Sequence, residues 1–323
     1  MMRRREFILL LGGVATLPLS AQAQQPLEKV WRLAMLAVVD DPWPRDFVLA
    51  ELKRRGFVRG RNLDVVVRTG TAVQMPQLVR ELLASKPDVI VAISDWAVHP
   101  AKQATDVVPI VASPMGADPV AAGLAANWAR PGGNVTGVSL TAPELEIKRL
   151  DLLRQAVPHA HRIATLATHR EITEPGLAPV RAQAAKAVIQ LIEFYVESAN
   201  EYKGAFAAMR AAGAEAVVIL PTPELSHNAK ELATIALESG LPSICGDRRD
   251  AEQGCLIGYG PDFTELVRRA VDDIVSIFQG ARVAELPFFG PTRFESIINL
   301  HAARSLGLTL PPSLLLSVDN VIE

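Results

Sequence analysis

The stretch Ala129-Arg130-Pro131-Gly132-Gly133-Asn134-Val135-Thr136-Gly137-Val138-Ser139 decides how the chain divides. Pro131-Gly132-Gly133 cannot continue a helix, and Val135, Val138 and Leu140 around Gly137 read as a short strand leaving the unit before it. On both sides, short apolar runs alternate with helical patterns, so two units of one kind flank the approach to a hinge. A hinge between two open α/β layers implies a cleft, and a cleft is the ordinary place for a small ligand.

Upstream, residues 30–39 are an almost unbroken apolar run that stops at Asp40-Asp41-Pro42, as a central parallel strand and its carboxyl-end loop would. Residues 47–55 suggest a helix stopped by Gly56, and 63–67 a second strand. A helix over 75–85 carries Leu78, Val79, Leu82 and Leu83 on one face, before a buried strand at 89–93. Ser94-Asp95 opens a helix that runs to Asp106; a strand at 109–112, a loop at 113–119 and a short helix at 120–129 follow. The unit is β-α-β-α-β-α-β, a doubly wound parallel sheet.

Downstream the pattern repeats, with helices over 144–157, 176–188, 202–212 and 226–239 and strands over 162–167, 191–196, 216–220, 242–245 and 256–260. The helix at 263–279 is expected to return to the first unit, and 294–300 to cross back. The expected fold is α/β, two doubly wound parallel-sheet lobes joined by a multi-crossing hinge. Lobe I would hold 28–139 and 262–286, and lobe II 140–261 and 287–323.

At 323 residues, two domains are the default. Hydrophobic residues at 49% exclude a disordered chain. Lys and Arg number 33 against 35 acids, scattered rather than gathered in a stripe, so nucleic acid is not an expected partner. Arg3-Arg4-Arg5, the apolar run 7–19 and Ala21-Gln22-Ala23 read as a signal peptide over 1–23, cleaved after Ala23. Arg4-Arg5-Glu6-Phe7-Ile8 resembles a twin-arginine signal, and a general secretory signal is compatible with the same residues. Cleavage removes three arginines and Glu6, taking the net charge from −2 to −4, and the expected destination is the periplasm. Cys245 and Cys255 could there close a disulfide around 246–254; two separate thiols near strand ends is the other reading.

Candidate ligand-binding residues are those at strand ends. Asp40 and Asp41 could meet a ligand ammonium while Trp43 stacks on it, or be solvated loop charges. Ser94 and Asp95 lie at a helix start, where amides and dipole favour an anion, though either residue could simply cap the helix. Met115 lies in the loop after the fourth strand. Thr141, His169, Thr222 and Asp247 supply mixed donors and acceptors from the second unit, and Tyr259 is either core or pocket wall. His159 and His161, two apart in a turn, read as surface rather than metal ligands. G-x-S-x-G, H-E-x-x-H and G-x-x-x-x-G-K-[ST] are all absent, so no catalytic residue is assigned.

Ala117-Asp118-Pro119-Val120 through Gly123-Leu124, the stretch 129–137, Glu146-x-Lys148-Arg149-Leu150, Tyr259-Gly260, Asn299-Leu300-His301-Ala302-Ala303, Leu306-Gly307-Leu308 and Pro311-Pro312-Ser313-Leu314-Leu315 carry a family resemblance. The chain resembles the ABC-transporter substrate-binding proteins of the type I periplasmic-binding fold, in the group that includes tryptophan and tyrosine binders. The resemblance implies a small polar solute, an amino acid or other carboxylate, aromatic or not, captured between the lobes and delivered to an ABC permease and its ATPase. It further implies a monomer with no cofactor, no catalysis and no membrane contact except through the permease. A sensing module for a membrane receptor and an exported enzyme are the alternatives. One loop departs from the family: a small Thr-Pro-Ala type sequence is replaced by Ser94-Asp95-Trp96-Ala97. Asp95 would repel a carboxylate if it pointed inward, and Trp96 would fill volume or supply an aromatic face.

Overall fold

The computed structural model describes residues 29–140, 143–168 and 177–323. The expected signal peptide, Thr141 and His169 lie outside them. In the first lobe β1 (Trp31–Ala37), α1 (Pro42–Arg54), β2 (Leu63–Thr69), α2 (Met75–Ala84), β3 (Val89–Ile93), α3 (Asp95–Ala104), β4 (Ile110–Met115) and β5 (Val135–Ser139) follow one another. The sheet is wholly parallel, in the order β2-β1-β3-β4-β5. Its central strand β3 is apolar throughout because both faces are covered. Leu33, Met35, Val91 and Val111 pack with Val48 and Leu52 of α1 on one side, while Ala34, Leu36, Ile90 and Ala92 meet α2 and α3 on the other.

The stretch that divides the chain does more than lead out of this lobe. Residues 135–139 form its edge strand, β5, hydrogen-bonded to β4. Gly137 has φ +126°, and a β-carbon there would overlap the backbone of Ala112, so only glycine allows the two strands this approach. The free edge of β5 is covered by the returning chain: Ser139 N donates to Phe289 O (3.0 Å), Phe289 N to Gly137 O (2.8 Å) and Thr136 Oγ1 to Leu286 O (2.8 Å). The helix expected over 120–129 is instead a series of turns. Asp118 Oδ1 takes the amides of Val120 and Ala121 (2.8 Å each), Trp128 Nε1 donates to Asp118 Oδ2 (3.0 Å), and Gly123 at φ +70° bends the chain away. These local bonds offer the backbone an alternative to helix.

The second lobe starts with α4 (Pro143–Ala156) and β6 (Arg162–Ala167), then adds β7 (Gln190–Tyr195), β8 (Ala216–Ile219), β9 (Ser243–Cys245), β10 (Ile257–Pro261), β11 (Phe294–Asn299) and β12 (Asn320–Ile322). The sheet order is β12-β11-β10-β9-β8-β6-β7. β10 and β11 pair antiparallel, and the other neighbours are parallel. That antiparallel pair follows from connectivity. The helix Phe263–Phe278, capped by Asp262 (Thr264 N to Oδ1, 2.9 Å), leaves the second lobe and packs on β4, β5 and α1 of the first. β10 therefore runs up to the crossing, and β11 starts there and runs back down. Leu266, Val267, Ala270, Val271 and Ile274 form the helix's buried stripe, each large side chain contributing roughly 1.5–3 kcal/mol. The expected return of this helix and the expected crossing near residue 294 are both found.

Candidate functional site

Strand direction locates the site. The carboxyl ends of β1, β3 and β4 and those of β8, β9 and β10 carry the loops in which the candidate residues fall. In open α/β sheets ligands bind at that end.

On the first lobe, Asp41 caps α1, its Oδ1 accepting from Trp43 N at 2.9 Å. Asp40 is exposed and lies 3.5 Å from Arg45, an ion pair worth at most about 1 kcal/mol at the surface. Trp43 is half-buried and stacks on Phe47 (centroids 5.4 Å apart, planes at 22°). The cation over its ring belongs to the protein: the Arg249 guanidinium carbon lies 4.2 Å from the centroid. Ser94 precedes α3 with φ +77°, a region unusual for a residue with a side chain, and its buried Oγ has no hydrogen-bond partner. Asp95 does not repel an anion from this helix start by pointing into the gap. Its carboxylate takes the amides of Gly116 (2.8 Å) and Ala117 (3.1 Å), tying α3 to the loop after β4. Trp96 is half-buried and Met115 is fully buried in the core. Close by, the Ala121 amide above all holds the Asp118 carboxyl below its usual range, against the opposing effect of burial and with help from Trp128 and the Val120 amide.

On the second lobe, Thr222 caps the short helix Pro223–His227 (Leu225 N to Oγ1, 3.4 Å). Asp247 caps the helix Arg248–Glu252, its Oδ1 accepting from Arg249 N (2.7 Å) and Asp250 N (3.2 Å), while its Oδ2 holds Arg249 Nη2 at 2.9 Å. Cys245 and Cys255 form a disulfide, Cα atoms 6.4 Å apart, which closes the loop carrying these residues. Tyr259 is half-buried, stacked near Phe294 (6.4 Å), and burial pushes its hydroxyl pKa up. The structure thus brings Trp43 and Asp247 together through Arg249 and leaves Met115 in the core; of the acids at strand ends, Asp41, Asp95 and Asp247 hold backbone.

The residues that sequence reasoning missed lie behind the second wall. Arg149 of α4, 2% exposed, donates Nε to Tyr259 O (2.8 Å) and Nη2 to Gly246 O (3.0 Å), and pairs with Glu146. It joins α4 to the ends of β9 and β10. Asp250, also buried, accepts from Gly246 N at 3.0 Å. Burial, and then the neighbouring Asp247 charge, push its pKa up to about 8, with Arg249, the Gly246 amide and Arg149 opposing. Packing here is tight: a β-carbon on Gly260 would overlap the Gly246 carbonyl oxygen. The only sequence signal for any of this was Arg149 in the stretch Glu146-x-Lys148-Arg149-Leu150 and Arg249 in the loop after β9.

A surface cavity of about 490 Å³, lined by Lys29, Arg32, Arg61 and Lys86 among others, lies at the opposite, amino-terminal ends of β1, β2 and β3, away from these loops. Among the described residues no His, Cys, Asp or Glu cluster could hold a metal ion, and no helix is long and apolar enough to cross a membrane.

Two lobes, crossings between them and loops converging at the strand ends describe a solute-binding protein. Residues 46–322 match the family model of the ABC transporter substrate binding protein. The chain belongs to that family. It is 26% identical over 287 residues to a tyrosine-binding protein of Clostridioides difficile, covering 87% of this chain and 79% of that one. Among solved structures, a conserved domain protein of Vibrio cholerae superposes with a TM-score of 0.82 at 24% identity, over 91% of this chain and all of the other. An ABC domain from Streptococcus pneumoniae in complex with L-Trp gives 0.80 at 23%, with the same coverage.

Proposed function

We propose that the mature protein is an extracytoplasmic, monomeric solute-binding protein that captures an amino acid, aromatic by preference, between its lobes and hands it unchanged to an ABC permease. The observation that carries this reading is the meeting of the loops after β1 and β9, where Trp43 of one lobe touches Arg249 of the other. A cleft between loops that carry an indole, hydroxyls and charged groups would suit a zwitterion with an apolar side chain. The amino terminus of α3 supports a carboxylate site. Its dipole favours an anion by about 0.3–1 kcal/mol, the Ser94 hydroxyl there is buried and unpartnered, and Asp95 is already committed to Gly116 and Ala117. The tyrosine named for the C. difficile relative and the L-Trp bound in the S. pneumoniae structure support the choice of solute. Export follows from the sequence reading of residues 1–23.

Calorimetry of the mature chain with L-tryptophan, L-tyrosine, tryptamine and indole-3-propionate tests the reading. The first two should bind with a Kd on the order of 1 μM, about −8 kcal/mol, and the two analogues, each lacking one charged group, roughly fivefold to a hundredfold more weakly, since a desolvated polar partner left unpaired costs about 1–3 kcal/mol. Equal affinity for all four, or no heat from any amino acid, would overturn it.

A further inference from the structure

Between the two lobes, cationic and aromatic side chains form one continuous column. Arg268 lies 5.7 Å from the Phe47 centroid, Phe47 stacks on Trp43, and Arg249 lies 4.2 Å from Trp43 and 5.0 Å from Phe263. Phe47 and Trp43 belong to α1 in the first lobe. Arg249 belongs to the second lobe, and Phe263 follows directly on the crossing after Pro261. The contact between Arg249 and Trp43 therefore joins two bodies that must separate when the cleft opens.

Arg249 is held ready for this contact from its own side. Asp247, 5% exposed, fixes the guanidinium through Nη2 and Nε while capping the helix that carries it. The disulfide between Cys245 and Cys255 closes the same loop. The Arg249 side chain is itself only 30% exposed, so its charge is partly withdrawn from water, where a cation over an indole face gains most. Fixed in this way, the side chain loses little freedom when it meets the ring, which favours closure.

We propose that Arg249 is a positioning residue of the solute site: by closing over Trp43 it latches the two lobes and sets the indole as one wall of the cleft. The purpose of the latch rests on the reading of the cleft as a solute site, but the latch itself is testable without a solute.

Nitroxide labels at Val73→Cys and Val188→Cys, exposed positions on the first and second lobes, report lobe separation by pulsed electron resonance in the ligand-free full chain. The unliganded protein should hold a closed population beside an open one. Arg249→Ala and Trp43→Ala should each lower the ratio of closed to open about fivefold, the weight of a partly buried cation over a ring. The double variant should fall no further than either single one, because both remove the same contact. Arg249→Lys should restore part of the closed population, since an ammonium also favours an indole face, whereas Arg249→Gln, which can still hydrogen-bond Asp247 but carries no charge to set over the ring, should not. A wild-type chain found wholly open, single variants with unchanged distributions, or effects that multiply in the double variant would each overturn the latch. With no ligand in the experiment, a failure to bind amino acids would sink the proposed function and leave this result standing.

Discussion

The two walls of the cleft are held in different ways. The first lobe's wall is held by part-exposed carboxylates on backbone amides, as where Asp95 ties the start of α3 to Gly116 and Ala117. The wall of the second lobe is set by ionisable groups withdrawn from water, with Arg149 and Glu146 beneath, Asp247 and Asp250 beside each other, and a disulfide around the loop. The difference teaches where stiffness is concentrated. Buried charges hold a wall only when every partner is present, so the second wall is sensitive to single deletions, whereas the first should yield by degrees.

The largest effect is expected from Arg149→Met. It leaves Glu146 without its partner and removes the guanidinium bonds to the carbonyls of Gly246 and Tyr259, and should cost about 3–5 kcal/mol in chemical denaturation. A loss below about 1 kcal/mol would mean that charge does not hold the second wall.

Next comes Asp250→Asn, which keeps an acceptor for the Gly246 amide but has no proton to lose. The folded-state pKa of Asp250, about 8, lies above its unfolded value of 3.8, so the stability it contributes is complete below about pH 4 and drains away as pH rises towards 8. The variant should match wild type near pH 4, gain steadily above it, and melt at least about 4 °C higher by pH 8. A melting gap that stays flat with pH would show that Asp250 titrates normally and would remove the contrast between the walls.

The smallest effect belongs to the first wall. Asp95→Ala frees two amides that water can partly reach, and should cost about 1–2 kcal/mol. If it proves as damaging as Arg149→Met, the two walls are fastened alike.

Much of the scaffold was legible in the chain because a strand covered on both faces is written as an unbroken apolar run. The runs at 30–39 and 89–93 gave β1 and β3, and the strong stripe of the helix Phe263–Phe278 announced its return to the first lobe. What failed to show was governed by contacts distant in sequence or by side chains bonding nearby backbone. The turns at 119–125 exist because Asp118 captures two amides, which no periodicity reveals. β5 looked like an exit because its covering segment lies some 150 residues further on, as in the bond from Thr136 to Leu286. The site was read less well than the fold for a related reason. An acid at a strand end that caps a helix and an acid that waits for a ligand occupy the same place in the sequence, and Asp41 and Asp247 proved to be caps. Arg249 escaped notice because its aromatic partners, Trp43 and Phe263, are supplied by other parts of the chain.

The bond between Cys245 and Cys255 couples this architecture to its surroundings. A thiol pair stays reduced in a reducing compartment and is oxidised in an oxidising one, so the reduced protein would carry the Arg249 segment on a slacker tether. Closing the bond firms the segment whose arginine meets the other lobe, so the redox state of its surroundings bears directly on how readily the halves stay together.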